Sequence, residues 1–315
     1  GRAEVLLNGN LFAEIKVENL VAEVKVLGPD NAGDVFVVVD EISPTARVDI
    51  DQTVRRYGSD GSWKGMARVP IRDTIFVEDN VKLLQGQVKA FIVRRDKVQV
   101  EVALKYENEL PAILPKATFV PGAPQPASSC TVTRKQIAAM AEKYLANKVF
   151  LKAENIDEVG ACDGRKKPHY LREPKEYPSV PYDWGGFDTV ESFNQLMSEN
   201  NKAGDITSAG NYDCSRGIDC SGFVLRCWGF KDRGGLYTGN LANISGEINI
   251  LELLPGDILN LAGSHVVLFQ DHKGGTNAGL EVWEATTQRH DRVIRRPTSW
   301  RRWVGYTARR YRNVC

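Results

Sequence analysis

The chain lacks an excess of charge of either sign. Its 315 residues include 41 lysines and arginines and 40 aspartates and glutamates, which leaves a formal net charge of +1. Without a global positive field a protein does not attract polyanions at long range, so this balance argues against a nucleic-acid partner or an anionic membrane surface. One basic C-terminal stretch is the exception, and we expect its arginines to lie on solvent-exposed strand faces, with contact to an anionic polymer as the alternative. Its members are Arg292, Arg295, Arg296, Arg301, Arg302, Arg309, Arg310 and Arg312.

Long apolar runs are also missing. No stretch approaches the ~18 apolar residues by which a membrane-spanning helix is recognised, so we expect no membrane span. No signal peptide begins at Gly1, although a chain that starts after a removed signal would look the same.

Patterns of metal ligands are absent as well. The sequence has no Cys-x-x-Cys pair, and its four histidines do not have the spacing of zinc ligands. We therefore expect neither a metal site nor another cofactor.

The six cysteines are ambiguous about the redox compartment. With Cys220 set aside for the chemistry argued below, five remain, which allow at most two disulfides and one free thiol. Cys162 and Cys214 lie in loop-like segments and are the predicted disulfide. Cys227 follows Cys220 by seven residues on a helical apolar face, which predicts a small buried side chain.

The length of the chain predicts two domains. From residue 5 to about 106 the apolar residues alternate with a period of two, and turn residues such as Gly58 to Gly61 interrupt them, which indicates an all-β domain over residues 1–110. Residues 111–131 are rich in proline and predict an extended linker. A second domain, residues 132–315, begins with a helix that Thr133 caps, with Gln136 three residues on.

Within the second domain the patterns predict a short helix around residues 190–197 and five strands. The strands are predicted at 258–261, 266–270, 280–285, 293–296 and 304–309. Such elements suit a small antiparallel sheet that packs on a helix.

One candidate nucleophile and one candidate base stand out. Cys220 precedes Phe223, Val224 and Cys227 at helical spacing, which places it in the first turn of a helix, where the dipole favours negative charge. A free thiol has a pKa near ~8.5 and needs such help, or an imidazole, to act as a thiolate. His265 opens an apolar, β-branched run that predicts a buried strand able to hold the imidazole rigidly.

Four ordered motifs carry a resemblance to a known family. They are Tyr-Asp-Trp-Gly-Gly at 182–186, Asp-Cys-Ser-Gly at 219–222, Leu-Pro-Gly-Asp-Ile at 254–258 and the strand that starts at His265. From about Thr133 to the C-terminus the chain resembles the NlpC family of papain-like cell-wall cysteine peptidases. The resemblance implies an α+β catalytic domain with helices packed on a small antiparallel sheet, here preceded by the all-β domain. The segment between the first two motifs is longer than the family commonly has.

The resemblance also implies roles for individual residues. Cys220 would be the nucleophile, His265 the base, and a polar residue on the next strand would orient the imidazole. Glu284 occupies that third position where the family commonly has histidine, and Glu281, Gln288 and His290 are the alternatives. A carboxylate is competent to hold a histidine tautomer.

The predicted substrate-binding residues follow from the same resemblance. Tyr182 would assist the oxyanion, and Asp219 with Ser221 would hold a free amine at the substrate N-terminus. Structural alternatives are a helix cap for Asp219, a solvated first-turn residue for Ser221 and a core position for Tyr182. Trp184 and Ser264 are predicted to line the site.

The predicted function is a secreted or cell-envelope cysteine endopeptidase that hydrolyses peptidoglycan stem peptides. The family preference implies the γ-D-glutamyl bond to diaminopimelate or lysine in stems with a free N-terminal L-alanine. Two alternatives stay open: a related thiol amidase or acyltransferase, and a non-catalytic protein that binds the cell wall.

Overall fold

The computed structural model describes residues 2–7, 10–17, 19–71, 74–75, 77, 79–94, 96–108, 130–157, 162, 164–207, 213–273 and 279–315. Within these ranges 44% of the residues are in strands and 17% in helices, with only four α-helices and several antiparallel sheets. The predicted α+β, papain-like class of helices packed on a small sheet is therefore wrong. The predicted linker, 111–131, lies outside the described residues up to position 129.

Ten strands lie in the described residues of the N-terminal part. They are β1 (Arg2–Leu7), β2 (Asn10–Lys16), β3 (Leu20–Pro29), β4 (Val35–Ile42), β5 (Ile50–Tyr57), β6 (Trp63–Val69), β7 (Thr74–Ile75), β8 (Val81–Leu84), β9 (Gln87–Arg94) and β10 (Gln99–Val102). All described elements up to residue 108 are strands, in agreement with the alternation of the sequence. The hairpin β1-β2, the antiparallel sheet β3-β4-β5-β6 and the group of β9 with β7, β8 and β10 make up this part.

Strand β4 shows how the alternation works. Val37 and Val39 pack in one apolar cluster, whereas Phe36 and Val38 belong to a second cluster on the opposite face. Since successive side chains of a strand point to opposite faces, β4 is buried on both sides.

The C-terminal part contains the helices and ten further strands. They are α1 (Arg134–Ala146), β11 (Lys148–Leu151), α2 (Ala153–Ile156), β12 (Lys175–Pro178), α3 (Val190–Ser198), β13 (Lys202–Ala203), β14 (Ser215–Arg216), α4 (Cys220–Cys227), β15 (Ser245–Glu247), β16 (Ile258–Leu261), β17 (His265–Lys273), β18 (Gly279–Thr286), β19 (Arg292–Ser299) and β20 (Thr307–Tyr311). The main sheet has six antiparallel strands in the order β15-β20-β16-β17-β18-β19. The strand predicted at 304–309 is observed as β20 at Thr307–Tyr311, so it is shorter and begins later in the chain. Before it, residues 300–303 form a 3-10 turn that buries Trp300 and Trp303.

Both faces of this six-stranded sheet are covered. On one face Val266, Leu268 and Trp283 join a core that includes residues of α1 and α4. On the other face Val267 and Phe269 pack in a cluster that also contains apolar residues of the N-terminal part. Those residues are Ala22, Ile42, Val48 and Ile50. The chain is more β-rich than the predicted class because a second β layer, and not helices, covers this face.

Polar contacts join the two parts as well. The amide N–H of Val48 donates to Tyr306 O at 2.8 Å, and Ala308 N–H donates to Ala46 O at 2.7 Å. Arg301 is buried and lies 2.9 Å from Asp40 Oδ2 through its Nε. For Arg301 the predicted exposed position is therefore wrong, because its charge has buried partners in the N-terminal part.

The Leu-Pro-Gly-Asp-Ile motif has a structural role. Asp257 is fully buried, and its carboxylate forms ion pairs with Arg134 at 3.0 Å and with Arg310 at 2.7 Å. Gly256 has φ +93°, and an added Cβ would lie 3.0 Å from Ile137. The motif thus ties the start of β16 to α1 and β20.

Two disulfides are present. The predicted pair Cys162–Cys214 is confirmed, and Cys130 pairs with Cys315. Cys220 and Cys227 are free and buried. The count of two disulfides with one spare thiol beside Cys220 is therefore confirmed as well.

The N-terminus of α1 permits a stability prediction. Thr133 Oγ1 accepts from Gln136 N–H at 3.2 Å, and Gln136 Oε1 accepts from Thr133 N–H at 2.8 Å, which is a complete capping box. Thr133→Ala is expected to lower the free energy of unfolding by about 1 kcal/mol in urea denaturation, because one helix N–H loses its partner. Thr131→Ala is the control, since that exposed hydroxyl makes only a 3.5 Å contact with Asn313 O. Equal losses in both variants would contradict the role of the cap.

Candidate active site

Cys220 is the first residue of α4 and is 7% exposed. Asp219 caps the helix, because its Oδ1 accepts from Gly222 N–H at 2.6 Å. The following residues Phe223 and Val224 are fully buried and anchor the helix in the core. A helix anchored in this way holds the thiol at its N-terminal end, where unpaired amide N–H groups and the dipole favour negative charge.

Glycines allow the Tyr-Asp-Trp-Gly-Gly segment to approach this helix. A Cβ added to Gly222 would lie 2.5 Å from Gly186 O, and one added to Gly217, at φ +155°, would lie 2.4 Å from Pro181 O. Larger residues would push the two backbones apart. Gly217 and Gly222 therefore let residues 181–186 approach the start of α4 closely.

His265 is the first residue of β17 and follows a tight turn at 262–264. Its Nε2 lies 2.8 Å from Glu284 Oε2 on the neighbouring strand β18. The other ring nitrogen, Nδ1, is then available to the Cys220 thiol, whose hydrogen bonding and charge both contribute to the raised pKa of the ring. The structure thus brings Cys220, His265 and Glu284 together in one chain of contacts.

The alternatives for the third position have other partners. Glu281 pairs with Lys273 at 2.6 Å, and Gln288 accepts from Arg302. Of the four residues considered, Glu284 is the one whose carboxylate meets the imidazole. His290 makes no side-chain hydrogen bond with His265 among the contacts of the described residues.

The electrostatics of this group favour an imidazolium. Burial lowers the pKa of His265, but hydrogen bonds to Cys220 and Glu284 and the charges of both residues outweigh it and raise that pKa to about 9. Burial alone would raise the pKa of Glu284, which is 1% exposed, but the contacts with His265 and the charge of Arg296 hold it below its ordinary value. Arg296 Nη2 lies 2.5 Å from Glu284 Oε1, as an ion pair without well-directed hydrogen-bond geometry.

Arg296 does not lie on a solvent-exposed strand face, as was predicted for the arginines of the basic stretch. The side chain of Arg296 is 20% exposed. Arg302 has its pKa lowered by burial and then by the charge of Arg296. Tyr306 has its pKa raised by burial, with a further contribution from the charge of Glu284. Sequence reasoning assigned none of these three residues to the site.

Tyr182 lies against the thiol. Burial, followed by the charges of Cys220 and Asp219 and a hydrogen bond to Cys220, raises the pKa of the Tyr182 hydroxyl. The phenol is therefore protonated at neutral pH and can donate a hydrogen bond. Its backbone is held on the other side, where Tyr182 N–H donates to Asp291 O at 2.7 Å.

Asp219 and Ser221 already contact a positively charged side chain of the protein. Arg233, in the loop after α4, places its Nη2 at 2.5 Å from both carboxylate oxygens of Asp219 and at 2.8 Å from Ser221 Oγ. No motif in the sequence marks Arg233, which lies thirteen residues after Cys220 in an irregular segment. The helix-cap alternative for Asp219 is also correct, since the same carboxylate caps α4.

Trp184 and Ser264 lie at the protein surface. Trp184 is 40% exposed, and Ser264 is exposed in the turn directly before His265. Both side chains are open to a ligand, and their role in binding stays a prediction.

Within the ranges that the structure describes, no group of three or more His, Cys, Asp or Glu side chains could hold a metal ion. Among the helices described, none is both long enough and apolar enough to cross a membrane.

Comparison with known proteins adds no relative. No protein-family model matches the chain, and no curated protein and no solved structure matches it either.

Proposed function

We propose that the protein is a cysteine endopeptidase that hydrolyses peptidoglycan stem peptides, at the γ-D-glutamyl bond to diaminopimelate or lysine. The observation that carries the proposal is the contact chain from the Cys220 thiol through His265 to Glu284, with 2.8 Å between Nε2 and Oε2. The resemblance of the four motifs to the NlpC family supports the substrate class. Two disulfides are compatible with a secreted or cell-envelope location.

The first chemical step is the attack on the amide. Cys220 transfers its proton to His265, and the sulfur forms a bond to the carbonyl carbon of the scissile amide. The carbonyl oxygen becomes an oxyanion, for which the Tyr182 hydroxyl and the unpaired backbone N–H of Cys220 are the available donors. Tyr182 suits this role because its raised pKa keeps the proton on the phenol.

The second step releases the amine. The carbon–nitrogen bond breaks as the oxyanion collapses to a thioester, and His265 gives its proton to the leaving nitrogen. Water then attacks the thioester, His265 takes the proton of the water, and sulfur leaves as the thiol is restored. Each turnover therefore consumes one water and yields one carboxylate and one amine.

Glu284 acts through His265. Its carboxylate at 2.8 Å from Nε2 holds the ring orientation and stabilises the positive charge that forms when the imidazole takes a proton. Arg296 in turn holds Glu284 from the other oxygen. Glu284 is a positioning residue and needs no proton transfer of its own.

Mass spectrometry of digested muropeptides tests the proposed function. We expect new products that each gain one water at an amide inside the stem peptide, with the glycan intact. A glycan fragment without peptide is the matched control and should stay unchanged. Cleavage between sugars would contradict peptidase action, and products joined to an added amine in place of water would favour an acyltransferase.

A further inference from the structure

Several polar contacts hold Arg233 close to the nucleophile. Beyond its contacts with Asp219 and Ser221, its Nη1 donates to Gly185 O at 2.7 Å and its Nε donates to Leu236 O at 3.1 Å. The Arg233 side chain is 22% exposed and that of Asp219 is 12% exposed. The pair is therefore largely shielded from water, so its attraction is weakly screened.

The Asp219 carboxylate has no capacity left for another cation. Oδ1 accepts from Arg233, from Gly222 N–H at 2.6 Å and from Ser221 Oγ at 3.1 Å. Oδ2 accepts from Arg233 and from Gly185 N–H at 3.1 Å. Two carboxylate oxygens offer about four lone-pair sites, and the donor groups of Arg233, Gly222, Ser221 and Gly185 fill them. A substrate ammonium could enter only beside the guanidinium, where two positive charges would repel each other.

The backbone holds Arg233 in this position. Leu236 N–H donates to Arg233 O at 2.9 Å across a turn whose Gly234 and Gly235 have φ +53° and +73°. The guanidinium also lies 6.0 Å from the centre of the Phe187 ring. A turn, a ring contact and a charge-assisted pair, in which Nη2 contacts both carboxylate oxygens of Asp219, together favour a permanent element of the site.

We infer that Arg233 is a built-in substitute for the substrate ammonium, so that the enzyme takes stem peptides whose first residue is N-acylated and not those with a free amine. An acylated N-terminus, as in a stem still joined to its glycan, carries no charge and does not need the Asp219 carboxylate. This inference rests on the proposed peptidase activity, and it departs from the free-amine preference that the resemblance implies.

Two matched substrates test this inference. One is the tetrapeptide of L-Ala, γ-linked D-Glu, a diamino acid and D-Ala, in which the N-terminal L-Ala has a free amine. The other is the same peptide with that amine acetylated. We expect the wild-type protein to show the larger kcat/KM for the acetylated peptide. We expect Arg233→Met and, independently, Arg233→Gln to raise the ratio of kcat/KM for the free-amine peptide to kcat/KM for the acetylated peptide by about tenfold or more. The reason is that Asp219 is then open to the ammonium.

Arg226→Met is the control variant. Arg226 stacks on the same Phe187 ring at 3.8 Å and has no contact with Asp219 in the described structure, so its loss should leave the substrate ratio unchanged. Binding of both peptides to Cys220→Ala protein, with and without Arg233→Met, gives a readout that does not need turnover. Thermal unfolding of each variant confirms that it is folded.

The possible failures are distinguishable. Wild-type preference for the free amine, or an unchanged ratio in both folded Arg233 variants, would overturn this inference while peptidase activity stands. If the wild-type protein cleaves neither peptide and the Cys220→Ala protein binds neither, the proposed function fails and this inference fails with it.

Discussion

Cys220→Ala is expected to lower the rate of stem-peptide hydrolysis on the order of 10⁴-fold or more, because no other group in the site can form the thioester. The loss should be in kcat, since the methyl side chain leaves the binding surface intact. Muropeptide turnover followed by chromatography measures it, and unchanged binding of the peptide confirms that the site is still formed.

Cys227→Ala is the matched control for this experiment. Cys227 belongs to the same helix and is the other free cysteine, but it is buried, and burial raises its pKa well above the ordinary value, which disfavours the reactive thiolate. We expect Cys227→Ala to keep its activity and iodoacetamide to label only Cys220 in the native protein. Full activity of Cys220→Ala, or labelling of that variant at the same rate as the wild type, would contradict the assignment.

Glu284→Gln is expected to lower kcat/KM by roughly 10²- to 10⁴-fold, because an amide neither stabilises the imidazolium nor holds the same tautomer. It should also move the alkaline limb of the pH profile. In the wild type the contacts with Cys220 and Glu284 raise the pKa of His265 to about 9, so we expect the imidazolium to persist up to that pH and activity to fall above it. Without the Glu284 charge the pKa of His265 falls, and the limb moves to lower pH. A pH series of kcat/KM for both proteins measures the shift.

The same shift in the pKa of His265 makes a statement about stability. A histidine whose pKa is raised in the folded state stabilises the fold fully below about pH 6.5, its unfolded value. That contribution is lost as the pH rises through about 9. The unfolding free energy of the wild type should therefore decline across this interval more than that of Glu284→Gln.

Glu281→Gln is the control for Glu284→Gln. Glu281 lies on the same strand and pairs with Lys273, away from the imidazole, so its neutralisation should change kcat/KM by less than about threefold. Loss of activity in Glu281→Gln with activity kept in Glu284→Gln would contradict the assignment of Glu284 as the residue that orients His265. Because Glu284→Gln leaves Arg296 without its ion-pair partner, the fold of that variant is checked by thermal unfolding.

Local signals in the sequence carried several predictions. Thr133 and Gln136 predicted the cap of α1, and the spacing after Cys220 predicted a helix that begins at that residue. Each of these features depends on residues a few positions apart, so the chain expresses it before any distant contact forms. The order of the motifs also pointed to Cys220, His265 and Glu284, which the folded chain brings together.

Other features depended on distant contacts and were missed. The fold class was predicted wrongly because a strand pattern shows which residues are buried and not what covers them. The exposed position predicted for Arg296 and Arg301 was wrong for a related reason, since a charged residue in sequence gives no sign of a buried carboxylate elsewhere in the chain.

The sequence by itself determined where α1 and α4 begin, which cysteine stands at a helix start, and which histidine opens a strand. Only the tertiary structure decided that a second β layer covers the main sheet and that Arg233 fills the Asp219 site. The physical reason is range: periodicity and capping act within a few residues, whereas the partner of a buried face or of a charge is selected by the packing of the whole chain.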